Sequence, residues 1–134
     1  MVETLLGLLA DTRRTFDLAV FTLTDDRLSS AILDLHRAGV GVRILTDDDK
    51  AGDRGSDVRE LARMGVPVRY DASEYHFHHK FAVFDRERVV TGSYNWTRGA
   101  ARNNRENFLV TEDRALVVGF ADDFDQLWAE LEQG

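Results

Sequence analysis

The sequence predicts an α/β domain with a mixed, largely parallel central sheet and helices on both of its faces. Three observations carry this reading. β-Rich apolar runs occupy Phe16 to Leu23, Val42 to Leu45 and Val66 to Tyr70; amphipathic helical stripes lie between them; and a long helix with one apolar face closes the chain. Strand, helix, strand, helix, strand at this spacing implies right-handed crossovers and hence parallel neighbours covered by helices. At 134 residues the chain has the length of one domain, 1–134, large enough to bury a core.

Each element follows from a local pattern. Met1 to Arg14 carries Val2, Leu5, Leu6, Leu8 and Leu9 at near-helical spacing, so a helix precedes the first strand. Thr24-Asp25-Asp26 offers capping oxygens ahead of Leu28, Ile32, Leu33 and Leu35, a stripe that stops at Ala38-Gly39. After the polar stretch from Thr46 to Gly55, Val58, Leu61, Ala62 and Met64 mark a second amphipathic helix closed by Gly65. Phe81 to Phe84 and Arg88 to Thr91 form a hairpin across Asp85-Arg86-Glu87, and Phe108 to Thr111 is a further strand. The last helix runs from about Asp113 to Leu131, with Leu116, Val117, Phe120, Phe124, Leu127, Trp128 and Leu131 on its expected core face.

Composition narrows the function classes. Hydrophobic residues at 43% and charged residues at 31% give a globular balance, not the signature of disorder. No window approaches the roughly 20 apolar residues of a membrane span, and the first residues lack a secretory pattern. Zero cysteines exclude disulfides and thiolate chemistry and fit a reducing compartment, so the cytoplasm is the expected location. The net charge of -7 argues against a surface that is basic all round. His76 to Arg105 nevertheless holds six basic residues against two acidic ones, which suits an anionic substrate held at one place.

The informative stretch is His78-His79-Lys80, followed by Asp85 and then Gly92-Ser93-Tyr94-Asn95. On a strand, His78 and Lys80 lie two apart and project from the same face. The returning strand delivers the Ser93 hydroxyl and the Asn95 amide, again two apart, after a glycine that permits close backbone approach. An imidazole, an ammonium, a hydroxyl and an amide can attack phosphorus and stabilise charge on its oxygens without a metal or other cofactor.

His78-x-Lys80, four residues, Asp85, six residues and Gly92-Ser93-x-Asn95 resembles the motif of the phospholipase D superfamily, with one motif in this chain. Asn104-Arg105-Glu106-Asn107 and Gly92 to Thr97 are similar to its small nuclease-like and mitochondrial cardiolipin hydrolase-like branch. Ala19 to Asp25, Gly41 to Leu45 and Val66 to Val68 resemble its first strand units, so the likeness spans nearly the whole chain. No β-rich run precedes the first helix, where members of the family usually have one, which points to a shortened N-terminus and a weakened sheet edge.

The resemblance implies that His78 attacks phosphorus and forms a phosphohistidine that water hydrolyses. A second histidine must protonate the leaving group, so one motif per chain implies a homodimer with two His78 side chains facing across a twofold axis. Lys80, Ser93 and Asn95 would bind phosphoryl oxygens, and Glu106 would orient His78. Asp85 is either a more distant orienting group or a turn residue.

Several residues also admit other roles. His76, His78, His79 and Glu74 form a histidine-rich tract of the kind that binds transition metals, but the Lys80 ammonium on the same face opposes a cation, and no metal is expected. Asp47-Asp48-Asp49 reads as a solvated loop in preference to a divalent-cation site. Phe77, Tyr94 and Trp96 suit base stacking, an acyl groove or packing. Arg98, Arg102 and Arg105 recur at four- and three-residue steps, which on a helix gives one basic face able to track the phosphates of a single strand. The expected function is therefore a metal-independent phosphodiesterase, an endonuclease on single-stranded DNA or RNA. A phospholipid hydrolase of the cardiolipin type is the alternative, and a noncatalytic dimeric module binding phosphate or nucleic acid is the third reading.

Overall fold

The computed structural model describes residues 2–20, 23–47, 57–71, 80–92 and 108–133. In chain order these form α1 (Val2–Ala10), β1 (Thr15–Val20), α2 (Asp26–Arg37), β2 (Gly41–Asp47), α3 (Val58–Arg63), β3 (Val68–Asp71), β4 (Lys80–Phe84), β5 (Arg88–Gly92), β6 (Phe108–Thr111), α4 (Arg114–Glu130) and β7 (Glu132–Gln133). The strands make one sheet in the order β6-β5-β4-β1-β2-β3-β7.

The sheet is mixed, with its parallel part narrower than expected. β1 pairs with β2 and β2 with β3 in parallel, whereas β1–β4, β4–β5, β5–β6 and β3–β7 are antiparallel. The physical reason is the connections. Helical crossovers after β1 and β2 force parallel neighbours, whereas the tight turn after β4 can only return the chain antiparallel.

Side-chain alternation splits the core between the two faces. Phe16, Leu18 and Val20 of β1 join Val42, Ile44, Ala82 and Val90 under α1, α2 and α3. Ala19 of β1 joins Leu45, Phe81, Val83 and Val89 under Val117, Ala121 and Phe124 of α4. Helices thus cover both faces, as the sequence predicts. Leu116 is a correction: it is 46% exposed, because the first turn of α4 follows directly from the edge strand and lies at the rim of the sheet.

The helix ends match their sequence signals. The Asp25 side chain accepts the Arg27 N–H at 3.0 Å to cap α2, a contact of the kind worth about 1 kcal/mol. Gly39 and Gly65 take φ of +92° and +95° just past α2 and α3, the left-handed conformation in which glycine carries no Cβ penalty. The first helix is shorter than expected, ending at Ala10, and β7 at the chain's end carries no sequence pattern that separates it from the preceding helix.

Candidate active site

The strand register brings Lys80 and Gly92 together at one end of the sheet through backbone pairing alone. Lys80, the first residue of β4, pairs with Val20 at the end of β1. The antiparallel pair Phe81 and Thr91 puts Lys80 beside Gly92, and Gly92 pairs with Phe108. The C-terminal ends of β1, β2 and β3 open at this same end, because those three strands are parallel to one another and β4 runs against β1. In sheets with a parallel core, this is the end where ligands bind.

Facing follows from alternation. Phe81 packs beneath α4, and Ala82 packs beneath the other three helices, so Lys80 lies on the face of Ala82 and Val20. Its backbone is fixed between two neighbouring strands while its side chain is partly exposed. A half-exposed ammonium at a strand start can meet an anion without the cost of burying an unpaired charge.

His78, Ser93, Asn95 and Glu106, with Arg98, Arg102 and Arg105, lie outside the described residues, as do His76, His79, Glu74, Phe77, Tyr94, Trp96, Asp48 and Asp49. Among the described residues no three metal-ligating side chains converge. No helix among them is long and apolar enough to cross a membrane.

Asp85 lies at the other end of β4 from Lys80, roughly 16 Å away at the rise of an extended strand. Its carboxylate accepts the backbone N–H groups of Arg13 (3.0 and 3.2 Å), Arg14 (2.6 Å) and Thr15 (3.0 Å). Its own N–H donates to the Thr15 carbonyl at 2.8 Å. Burial pulls the Asp85 carboxyl upward, but the hydrogen bonds from Arg14, Thr15 and Arg13 outweigh it and hold the group below the usual carboxylate range. Of the two roles open in the sequence, the turn role describes this geometry, although the backbone it caps is that of the α1–β1 connection and not its own.

The turn itself is strained. Asp85 and Arg86 have φ of +55° and +54°, and the Glu87 N–H closes on the Phe84 carbonyl at 2.9 Å. Asparagine or glycine usually fills such positions, and other residues cost about 1–2 kcal/mol each there. Arg86 is clamped in turn, because its guanidinium meets Asp125 of α4 at 2.9 Å.

Sequence reasoning missed the charge cluster that Arg86 joins. Asp17 on β1 is 1% exposed on the α4 face, and Arg43 of β2 meets it with two hydrogen bonds of 2.9 and 3.0 Å. Arg43 also reaches Asp125 at 2.9 Å and lies 4.9 Å from the centre of the Phe124 ring. The available signal was an acid within the apolar run of β1, since a buried carboxylate requires a partner.

Comparison with known proteins covers nearly the whole chain. Residues 5–128 match the family model described as cardiolipin synthase, PLD-like domain. A mitochondrial cardiolipin hydrolase of Xenopus tropicalis is 45% identical over 128 residues, covering 96% of this chain and 61% of that protein. A mitochondrial cardiolipin hydrolase of Chlamydomonas reinhardtii is 44% identical over 123 residues, covering 92% of this chain and 55% of that protein. The chain therefore spans less than two thirds of the length of these curated relatives. The crystal structure of the phospholipase D family member Nuc from Salmonella typhimurium superposes with a TM-score of 0.91 at 24% identity, covering 99% of this chain and 90% of that one, which shows the shared fold.

Proposed function

Because this chain belongs to the phospholipase D superfamily, in its cardiolipin synthase, PLD-like domain family, we propose that it is a metal-independent phosphodiesterase acting on phospholipid diesters of the cardiolipin class. The observation that supports this reading is the meeting of Lys80 with Gly92 at the sheet end, one described residue from each of the His-x-Lys and Gly-Ser-x-Asn patterns. The names of the relatives favour phospholipid over nucleic acid as substrate, in reverse of the order expected from the sequence.

In this mechanism an imidazole nitrogen of His78 attacks phosphorus and the bond to the leaving alcohol breaks. That alcohol takes its proton from the His78 of a second copy. Water, deprotonated by the same second histidine, then displaces the first, breaking the P–N bond and releasing a phosphomonoester. Lys80, Ser93 and Asn95 bind the oxygens on which charge accumulates, and Glu106 orients His78. A homodimer is required, since each chain brings one motif.

Nucleic acid is the second reading, favoured by Arg98, Arg102 and Arg105 at helical spacing. Cardiolipin vesicles and labelled single-stranded DNA and RNA, each incubated in excess EDTA, separate the two. Lipid turnover that His78→Asn and Lys80→Ala abolish supports the phospholipid reading. Cleavage of nucleic acid alone would replace it, and binding without turnover of either would favour a noncatalytic module.

A further inference from the structure

A cavity of about 270 Å³ opens between α3 and β3, lined by Arg59, Ala62 and Arg63 of α3 and by Tyr70. The Arg59 guanidinium lies 5.7 Å from the centre of the Tyr70 ring, within cation–π range. No carboxylate among the described residues pairs with Arg59. Among the described residues, Arg14, Arg27, Arg43, Arg86 and Arg88 each meet an acid away from this cavity. Arg63, one helical turn from Arg59, meets Glu60 at 2.9 Å, but both side chains are mostly exposed, so the pair is worth little and yields easily to a stronger anion.

The register relates this cavity to the proposed site. Lys80 pairs with Val20, the Ala19–Leu45 pair sets Val20 beside Thr46, and Thr46 pairs with Tyr70. Val20 and Tyr70 belong to the same core cluster, so the row Lys80, Val20, Thr46, Tyr70 crosses one face of the sheet at its C-terminal end. Three strand spacings separate its ends, roughly 14 Å. Asp71 alternates to the opposite face, and Asp57 at the start of α3 is engaged by the Ser29 hydroxyl at 2.6 Å.

We propose that the Arg59, Arg63 and Tyr70 cavity binds the phosphate of a second anionic phospholipid headgroup and thereby seats the Lys80 end of the sheet on a bilayer. The proposal rests on the phospholipid reading above. A chain of net charge -7 is repelled by an anionic surface, so it can approach one only where cations stand locally uncompensated. Stacking on Tyr70 holds the Arg59 fork in place and reduces the ordering cost of gripping a phosphate. The headgroup comes from a separate lipid. Six bonds join the two phosphorus atoms of a glycerol-bridged diphosphatide, about 8 Å at full extension, against roughly 14 Å between the strand positions of Lys80 and Tyr70.

The test compares the full chain with Arg59→Gln/Arg63→Gln on phosphatidylcholine vesicles with and without cardiolipin, with hydrolysis of soluble bis-p-nitrophenyl phosphate measured in parallel. The double variant is expected to partition about tenfold more weakly onto the cardiolipin vesicles, with no change on pure phosphatidylcholine and unchanged turnover of the soluble diester. Glu60→Gln, which frees Arg63, should bind the cardiolipin vesicles more tightly. Equal partitioning of the double variant and wild type would overturn the proposal. So would loss of single-stranded DNA binding with vesicle binding intact, which would assign the cavity to a nucleic-acid track. Failure of the wild type to turn over either diester would strike the proposed reaction, and the vesicle comparison would still decide the headgroup site.

Discussion

Asp85 and Arg14 stand 71 residues apart in sequence and are joined by a 2.6 Å hydrogen bond from the Arg14 backbone N–H to the Asp85 carboxylate. With the adjoining N–H groups of Arg13 and Thr15, this contact pins the entry to β1 onto the β4–β5 turn. The acid of the motif therefore sets the relation between two central strands, at the end of the sheet away from Lys80. Asp85→Ala leaves three donors without this acceptor and should lower stability by about 1–3 kcal/mol. Turnover per folded molecule should stay near the wild-type value. Urea unfolding and activity normalised to folded protein check both, and a loss of turnover at full folding would return Asp85 to the reaction.

Two carboxylates should make stability fall in acid, against the opposite pull of Asp17, whose carboxyl is raised by burial. The hydrogen bond from Arg86 leads the causes that hold the Asp125 carboxyl low, and Asp85 is held low against its burial by three backbone donors. Both groups thus bind protons more weakly folded than unfolded. Their contribution is complete above the unfolded carboxylate pKa, about 3.9, and is lost as pH drops through that value toward the folded one. Melting temperatures at pH 3 and pH 6 should differ less in Asp85→Asn than in wild type.

Arg43 compensates a carboxylate that has almost no access to water. Asp17 is 1% exposed, and Arg43 meets it with paired hydrogen bonds while sitting over Phe124. Arg43→Met leaves Asp17 with only the outer Arg86, 4.0 Å away, and should cost about 3–5 kcal/mol. Asp17→Leu combined with Arg43→Met should recover much of that loss, because two apolar groups need no mutual compensation. Chemical denaturation of the single and double variants measures the difference, and additive losses would show that the pair is not coupled.

How far the sequence could be read depended on the range of each interaction. Elements set by local pattern, such as α2 with its Asp25 cap and Gly39 stop, needed no knowledge of the rest of the chain. The hairpin was legible too, because its turn is three residues long. Asp85 was half legible: its place in a motif and in a turn could both be read, but its partners lie 70 to 72 residues away. The Asp17, Arg43 and Asp125 cluster was hidden for the same reason, its links crossing 26 and 82 residues. Leu116 fits the helical stripe of α4, but whether a stripe position meets core or water depends on where the sheet ends beneath it.

The proposed shared site makes a quantitative demand on mixtures. If one site forms at the twofold axis and needs the His78 of both chains, any dimer that contains one His78→Asn chain is inactive. Wild-type and His78→Asn chains, mixed in equal amounts and allowed to exchange subunits, form active dimers only when two wild-type chains meet. Activity should then settle at roughly one quarter of that of the same total protein as wild type, following the square of the wild-type fraction. A site complete within each chain would instead leave one half, following the fraction linearly. Measuring turnover across a titration of the mixing ratio, after exchange is complete, separates the quadratic curve from the straight line without any structure of the dimer.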